Sequence, residues 1–293
     1  MKQMLLIALL LTTGWAQAQT FTETITKELK FEKPGANALM VFNINGSVKV
    51  EGYSGTTILV EVQKKITGKT TARLEKGKQE IQLGVMDRSD TIILYVEGVS
   101  PGFGRNSRQH FRNGQRALWG YDWGRHNGQQ EKEYDYEMDF LVKVPQGSHV
   151  FASTINNGDV QVSAVQGTVY ADNVNGSIRL ADISGKTYAS TINGSVDVNY
   201  VSNPSGDSRY YSLNGDINAN FHQGLSAELT FKSFNGDFYT SLNDISSLPV
   251  KVEKFNKGEG LGFKVNGNRY KVRNGGPLLD FETFNGDVYL REK

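Results

Sequence analysis

A stretch at about 98–132 gathers Arg105, Arg108, Arg112, Arg116 and Arg125, with Asp122 the only acid before Glu131. Phe103, Phe111, Trp119, Tyr121 and Trp123 lie among them. Flat aromatic faces stack on sugar rings or bases, and guanidinium groups pair with carboxylate or phosphate. On this composition, Trp119, Tyr121 and Trp123 are candidates for stacking on a ligand. Arg112, Arg116 and Arg125 are candidates for holding an anionic group on it. The glycine content makes the stretch a loop, and a loop of this length is commonly functional or disordered. The same aromatics would also suit a cover over the open end of a repeat fold, since such folds need caps.

Catalytic chemistry is sparse elsewhere. No two of His110, His126, His149 and His222 stand four residues apart, and no H-E-x-x-H, P-loop or G-x-S-x-G motif occurs. Asp172, Asp182, Asp197, Arg179 and Lys186 would make a polysaccharide-cleaving face if a repeat fold stacked them together. The nine-residue glycine period is compared with calcium-binding rolls, but those carry further glycines in each unit. The expectation is a non-enzyme with no metal and no cofactor.

The elements that must carry these residues are written as a repeat. Asn-Gly followed by Ser or Asp occurs seven times, with the glycine at 46, 158, 176, 194, 215, 236 and 286. Two residues later stand Val48, Val160, Ile178, Val196, Ile217, Phe238 and Val288, and alternation continues beyond them. From 158 to 194 glycines fall every nine residues and every second one carries the Asn, giving an 18-residue coil. The Asn-bearing glycines at 194, 215 and 236 are 21 apart. Asn and Gly tolerate positive φ, so each pair turns the chain, and the period of two that follows is a strand.

A fixed repeat of this kind predicts an all-β, single-domain β-solenoid, or β-helix, of 18–21-residue coils. Apolar residues two before, two after and four after the glycine are expected to face inward. Asn157, Asn175, Asn193, Asn214, Asn235 and Asn285 are expected to form a side-chain ladder at the turns. Ile155 is displaced by one at the Gly158 copy, which predicts a bulge there. A short helix is expected over 69–80, strands over 81–85, 91–96 and 134–144, and a hairpin on Asn266-Gly267.

Lys2, the apolar run from Met4 to Leu11 and Ala16-Gln17-Ala18 read as a signal peptide over 1–18, leaving 19–293 as the domain. There is no cysteine, so no disulfide framework or thiolate metal site. Of 32 Lys and Arg, Lys2 leaves with the signal, giving 31 against 31 Asp and Glu. That balance argues against a dedicated nucleic-acid binder. No stretch after the signal is apolar enough to make an integral membrane protein by helices.

Lys143-Val-Pro-Gln-Gly147, the Asn-Gly-Ser/Asp turns, and Gly275-Gly-Pro followed by Phe284-Asn-Gly-Asp-Val288 together resemble a family. It is the "putative adhesin" domain of unknown function of exported bacterial proteins, and the resemblance covers 38–65 and 134–293. It implies a β-solenoid in a cell-envelope setting, periplasmic or at the cell surface, and carries over no catalytic residue. The reading is therefore a non-catalytic envelope module that binds an envelope polysaccharide or a protein partner. The alternatives are a polysaccharide-acting β-helix enzyme and a structural protein that self-associates through the ends of its coils.

Overall fold

The computed structural model describes residues 18–249, except 34, 36, 100–101, 104–120 and 122–131, and residues 251–257, 260–266 and 268–293. Side chains are described outside 250–267. The expected signal peptide lies outside the described residues, apart from Ala18. The fold is all-β with a single short helix among the described residues, and its strands form a ten-stranded and an eleven-stranded mixed sheet.

The regular part runs β8 (His149–Ser153), β9 (Val160–Ser163), β10 (Val169–Asp172), β11 (Ile178–Ile183), β12 (Thr187–Asn193), β13 (Val196–Tyr200), β14 (Ser208–Asn214), β15 (Ile217–Phe221), β16 (Ala227–Lys232) and β17 (Phe238–Thr240). Odd-numbered strands of this run lie in the ten-stranded sheet and even-numbered ones in the eleven-stranded sheet. The chain thus changes sheet at every turn. Neighbours within each sheet are parallel and in register, with Val160, Ile178, Val196 and Ile217 side by side and Val162, Leu180, Val198 and Ala219 beside them. All eight are almost wholly buried. Each of the Val, Ile and Leu side chains among them contributes roughly 1.5–3 kcal/mol by leaving water.

The glycine of each Asn-Gly pair is fixed by close approach. At Gly194, φ is +159° and a Cβ would overlap the carbonyl oxygen of Gly176 one coil away. At Gly176 the φ is ordinary, yet a Cβ would overlap the carbonyl of Gly158. The turns stack backbone on backbone, which leaves no room for a side chain.

The end of the chain departs from simple progression. β18 (Ile245–Ser247) and β21 (Arg269–Val272) pair antiparallel at one edge of the eleven-stranded sheet. β19 (Lys251–Lys257) and β20 (Gly260–Asn266) form a separate antiparallel pair. The expected hairpin on Asn266-Gly267 is therefore corrected: Asn266 ends a strand paired backward with Lys251, and Arg269–Val272 pairs with β16 and β18. The last coil, β22 (Leu278–Asn285) and β23 (Val288–Glu292), inserts between β14 and β16 and between β15 and β17.

The N-terminal part supplies β1 (Gln19–Leu29), β2 (Ala38–Phe42), β3 (Val48–Tyr53), β4 (Ile58–Gly68), α1 (Thr71–Glu80), β5 (Gln82–Arg88), β6 (Thr91–Glu97) and β7 (Tyr134–Pro145). Here β2 and β3 continue the parallel stack, while β1, β4 and β7 pair antiparallel. The helix begins at Thr70, whose hydroxyl accepts the Arg73 N–H at 3.3 Å. It lies over β4 and buries Leu74, with Gly77 against Ile66 and Tyr134. Beneath it Lys64, 2% exposed, donates to the Lys78 carbonyl at 3.0 Å.

Candidate functional site

The loop of arginines and aromatics leaves the eleven-stranded sheet after β6 and returns to the ten-stranded sheet at β7. Two layers of contacts hold its base. Phe103 and Tyr121 form an isolated antiparallel bridge. Phe103 stacks on Tyr95 at 4.3 Å between centroids and meets Tyr121 edge-on at 5.6 Å. The Tyr121 hydroxyl donates to the Phe42 carbonyl and accepts the Val96 N–H, each at 3.0 Å. Burial pushes that phenol well above its ordinary pKa, so it stays protonated and keeps donating.

Below this, Gly98 turns at φ +81°, where a Cβ would overlap the Glu80 carbonyl. Lys132 donates to the Gly98 carbonyl at 2.5 Å and to the Tyr134 hydroxyl at 2.7 Å, and that hydroxyl donates to Glu80 at 2.5 Å. The hydrogen bond from Tyr134, with Lys132 nearby, holds the Glu80 carboxyl below its usual range. Burial, then Glu80, pushes the Tyr134 phenol up, while burial lowers Lys132.

These positions correct one expectation. Tyr121 is 2% exposed and presents no face to a ligand, so it is an anchor of the loop. Trp119, Trp123, Arg112, Arg116 and Arg125 lie outside the described residues.

The turn side chains form a continuous row of amide hydrogen bonds, each 2.8–2.9 Å: Asn175 donates to Asn156, Asn193 to Asn175, Asn214 to Asn193, Asn285 to Asn214 and Asn235 to Asn285. Two details differ from expectation. Asn156, not Asn157, occupies the row, because Asn157 is the extra residue of a bulge with φ +60°. Asn285 stands between Asn214 and Asn235 because the last coil is inserted there.

Sequence reasoning passed over a second row. Three residues before each glycine stand Asn43, Asn173, Thr191, Ser212, Ser233 and Thr283, with Thr154 in the bulged copy. Thr191 donates to the Gly176 carbonyl at 2.8 Å and Ser212 to that of Gly194 at 2.9 Å. Their unbroken Asn/Ser/Thr identity was the available signal. Of the residues two before the glycine, expected inside, Ile44 is buried, whereas those from Val174 to Leu213 lie half-exposed along the rim. At Phe284 and Phe234 they reach 44% and 73% exposure.

The outer faces carry further aromatics. Phe151, Tyr170 and Tyr188 stack at 4.4 and 4.5 Å on the eleven-stranded sheet, with the Lys186 ammonium 4.9 Å from the Tyr188 ring. Rings so stacked turn their faces to one another, so the row shows mainly edges and hydroxyls to solvent. It is a cross-strand brace rather than a sugar platform. The charged quintet does not assemble: Arg179 and Asp197 neighbour each other on the ten-stranded sheet, whereas Asp172 and Lys186 belong to the other side. Arg179 pairs with Asp159 at 2.5 Å. Asp182 sits at φ +54° where the β11 register shifts. Among the described residues no group of three or more His, Cys, Asp or Glu is placed to hold a metal, and no helix is long and apolar enough to cross a membrane.

No family model and no curated protein matches the chain. Among solved structures it is similar to a "putative cell adhesion protein" from Clostridium sporogenes, at 8% identity and TM-score 0.41, covering 93% of this chain and 100% of that one. It is also similar to a "putative adhesin" from Bacteroides fragilis, at 11% identity and TM-score 0.24, covering 92% and 97%. A third likeness is to a "putative lipid binding protein" from Parabacteroides distasonis, at 9% identity and TM-score 0.24, covering 92% and 96%.

Proposed function

We propose that this chain is an exported, non-catalytic binding module of the bacterial cell envelope. In this reading residues 19–293 are one domain, a two-faced β-solenoid whose coils run between the two sheets, released from a signal peptide over 1–18. The stack is a rigid support, and the loop at 98–132 contacts an anionic envelope polymer. One observation carries the proposal: the loop is rooted in buried, hydrogen-bonded side chains, Tyr121 above all. An insertion without a role needs no such root, whereas a recognition loop gains affinity from a fixed origin. Trp119 and Trp123 then supply stacking faces, and Arg112, Arg116 and Arg125 supply the charge.

The test keeps the anchors. Residues 104–120 and 122–131 are replaced by Gly-Ser links of equal length, with Phe103 and Tyr121 retained. Binding of native and replaced protein to acidic and neutral envelope polysaccharides is compared at low and high salt. The proposal expects salt-sensitive binding of the acidic polymers by the native form alone. Equal binding by both forms moves the function to the sheet faces, and release of reducing or unsaturated ends makes the protein an enzyme.

A further inference from the structure

Among the described residues β1 forms one edge of the ten-stranded sheet, paired on one side only, with β4. Its pairing is continuous over all 11 residues. Natural edges are usually blunted by shortness, charged side chains, proline or a bulge, because an unpaired strand is a template for another strand. β1 is long and continuous and has no proline; its charges, Glu23, Lys27 and Glu28, are of both signs and so can pair rather than only repel. Phe21, Ile25 and Leu29 pack against the core but are only partly buried. Between them on the same face stand Glu23 and Lys27.

We infer that β1 is the seam of a two-fold homodimer, pairing antiparallel with β1 of a second copy about Ile25. In that register Ile25 meets its own copy, Phe21 meets Leu29 of the second copy, and Glu23 meets Lys27 of the second copy. On the other face Thr24 meets Thr26. Every contact away from the axis is made twice, and Ile25 meets its copy once on the axis, as a two-fold interface requires. Neighbouring two-fold registers fail. Centring on Glu23 or on Lys27 sets like charges opposite each other. Centring on Thr24 or Thr26 sets a charge against Ile25. Glu23 is suited to a second partner: it lies 3.4 Å from Lys64 of its own chain and is still 45% exposed. The helices do not collide in this arrangement. Lys78 of α1 sits over the Phe21 ring at 4.5 Å, and the two Phe21 positions are about 27 Å apart along the seam. The occupant is thus a second copy of this chain, chosen by charge and shape complementarity along one strand.

The chain has no cysteine, which makes the test direct. An Ile25→Cys variant places two thiols at the two-fold axis, within disulfide reach. A Thr22→Cys variant places them about 20 Å apart. Mild oxidation should give a covalent dimer from Ile25→Cys and not from Thr22→Cys. In sedimentation velocity, the native protein should show a concentration-dependent dimer. Lys27→Glu should weaken it by about tenfold or more, since like charges then face each other twice. Lys27→Gln, which removes the charge without setting like charges opposite each other and leaves the Glu23–Lys64 pair intact, should weaken it less than Lys27→Glu. A monomer at every concentration overturns the inference, as does a dimer indifferent to Lys27→Glu or equal cross-linking at the two positions.

Discussion

The odd-numbered strands of the coils from β8 to β15 share the ten-stranded sheet with β1, β4 and β7, and the coils share one hydrophobic core with the layer those three strands build with α1, yet the two regions hold together differently. In the coils each residue's neighbour is the equivalent residue of another coil. Its environment is therefore repeated: glycine on glycine, amide on amide, valine on valine. In the N-terminal layer unlike segments pair antiparallel, and the order comes from single contacts such as Lys64 under α1 or Gly77 against Ile66 and Tyr134. A repeat makes each position cheap to specify and intolerant of change at every copy. A non-repeating layer leaves most positions tolerant and concentrates the loss at a few anchors.

That contrast yields graded expectations. Val196 is wholly buried in the coil core, and Val196→Asp should cost several kcal/mol or prevent folding, because an unpaired charge replaces stacked valine. Lys49, exposed on the outer face, should lose less than about 0.5 kcal/mol as Lys49→Ala. Urea unfolding of both variants checks the inward register. Next comes Gly194→Ala, which forces a Cβ into the Gly176 carbonyl and should cost about 2 kcal/mol or more in the same assay. Gly147, where an added Cβ meets nothing, is the matched control and should move little.

Smaller still is Thr191→Val. It keeps the shape but removes the donor to the Gly176 carbonyl, and should lower stability by about 1–2 kcal/mol. A loss near zero would mean that the buried hydroxyl row adds no stability and the asparagine row alone locks the turns.

The smallest effect is that of pH, and it falls at the base of the loop and at the end of the last coil. Glu80 at the loop base and Glu292 beside Arg273 both have carboxyls held below the ordinary value, by Tyr134 and Arg273 respectively. Their folded pKa is lower than the unfolded one. The stabilisation they give is therefore complete above the ordinary carboxylate pKa and fades as pH falls through the folded value. Unfolding midpoints taken from about pH 7 down to about pH 3 should show less loss in Glu80→Gln and Glu292→Gln than in the native protein.

The repeat was legible because glycine column, turn and alternation coincide at fixed spacing. The parallel, in-register rows of Val160, Ile178 and Val196 follow from that spacing. The insertion of β22 and β23 was not legible, since the coil at Asn285 looks like any other and nothing in its residues states its neighbours. β1 was missed because threonine dominates its alternation and its apolar residues come every four positions. The inward position three before the glycine was passed over because Thr191 and Ser212 are polar, although their hydroxyls are satisfied by backbone carbonyls. At the candidate site the composition of the loop was readable. The anchoring role of two of its residues was not: nothing in Phe103 and Tyr121 as residue types marks them as anchors, and only their contacts with Tyr95, Phe42 and Val96 show it.

The central claim is that a rigid stack presents a recognition loop from a fixed root. Its most direct test is the binding isotherm of an acidic envelope polysaccharide to the native protein and to Tyr121→Ala, with the whole loop sequence otherwise kept. The account predicts that the native protein binds and that loosening the root weakens binding by about tenfold or more while the coils stay folded. Equal affinity in the two proteins, or no binding by the native one, would contradict it.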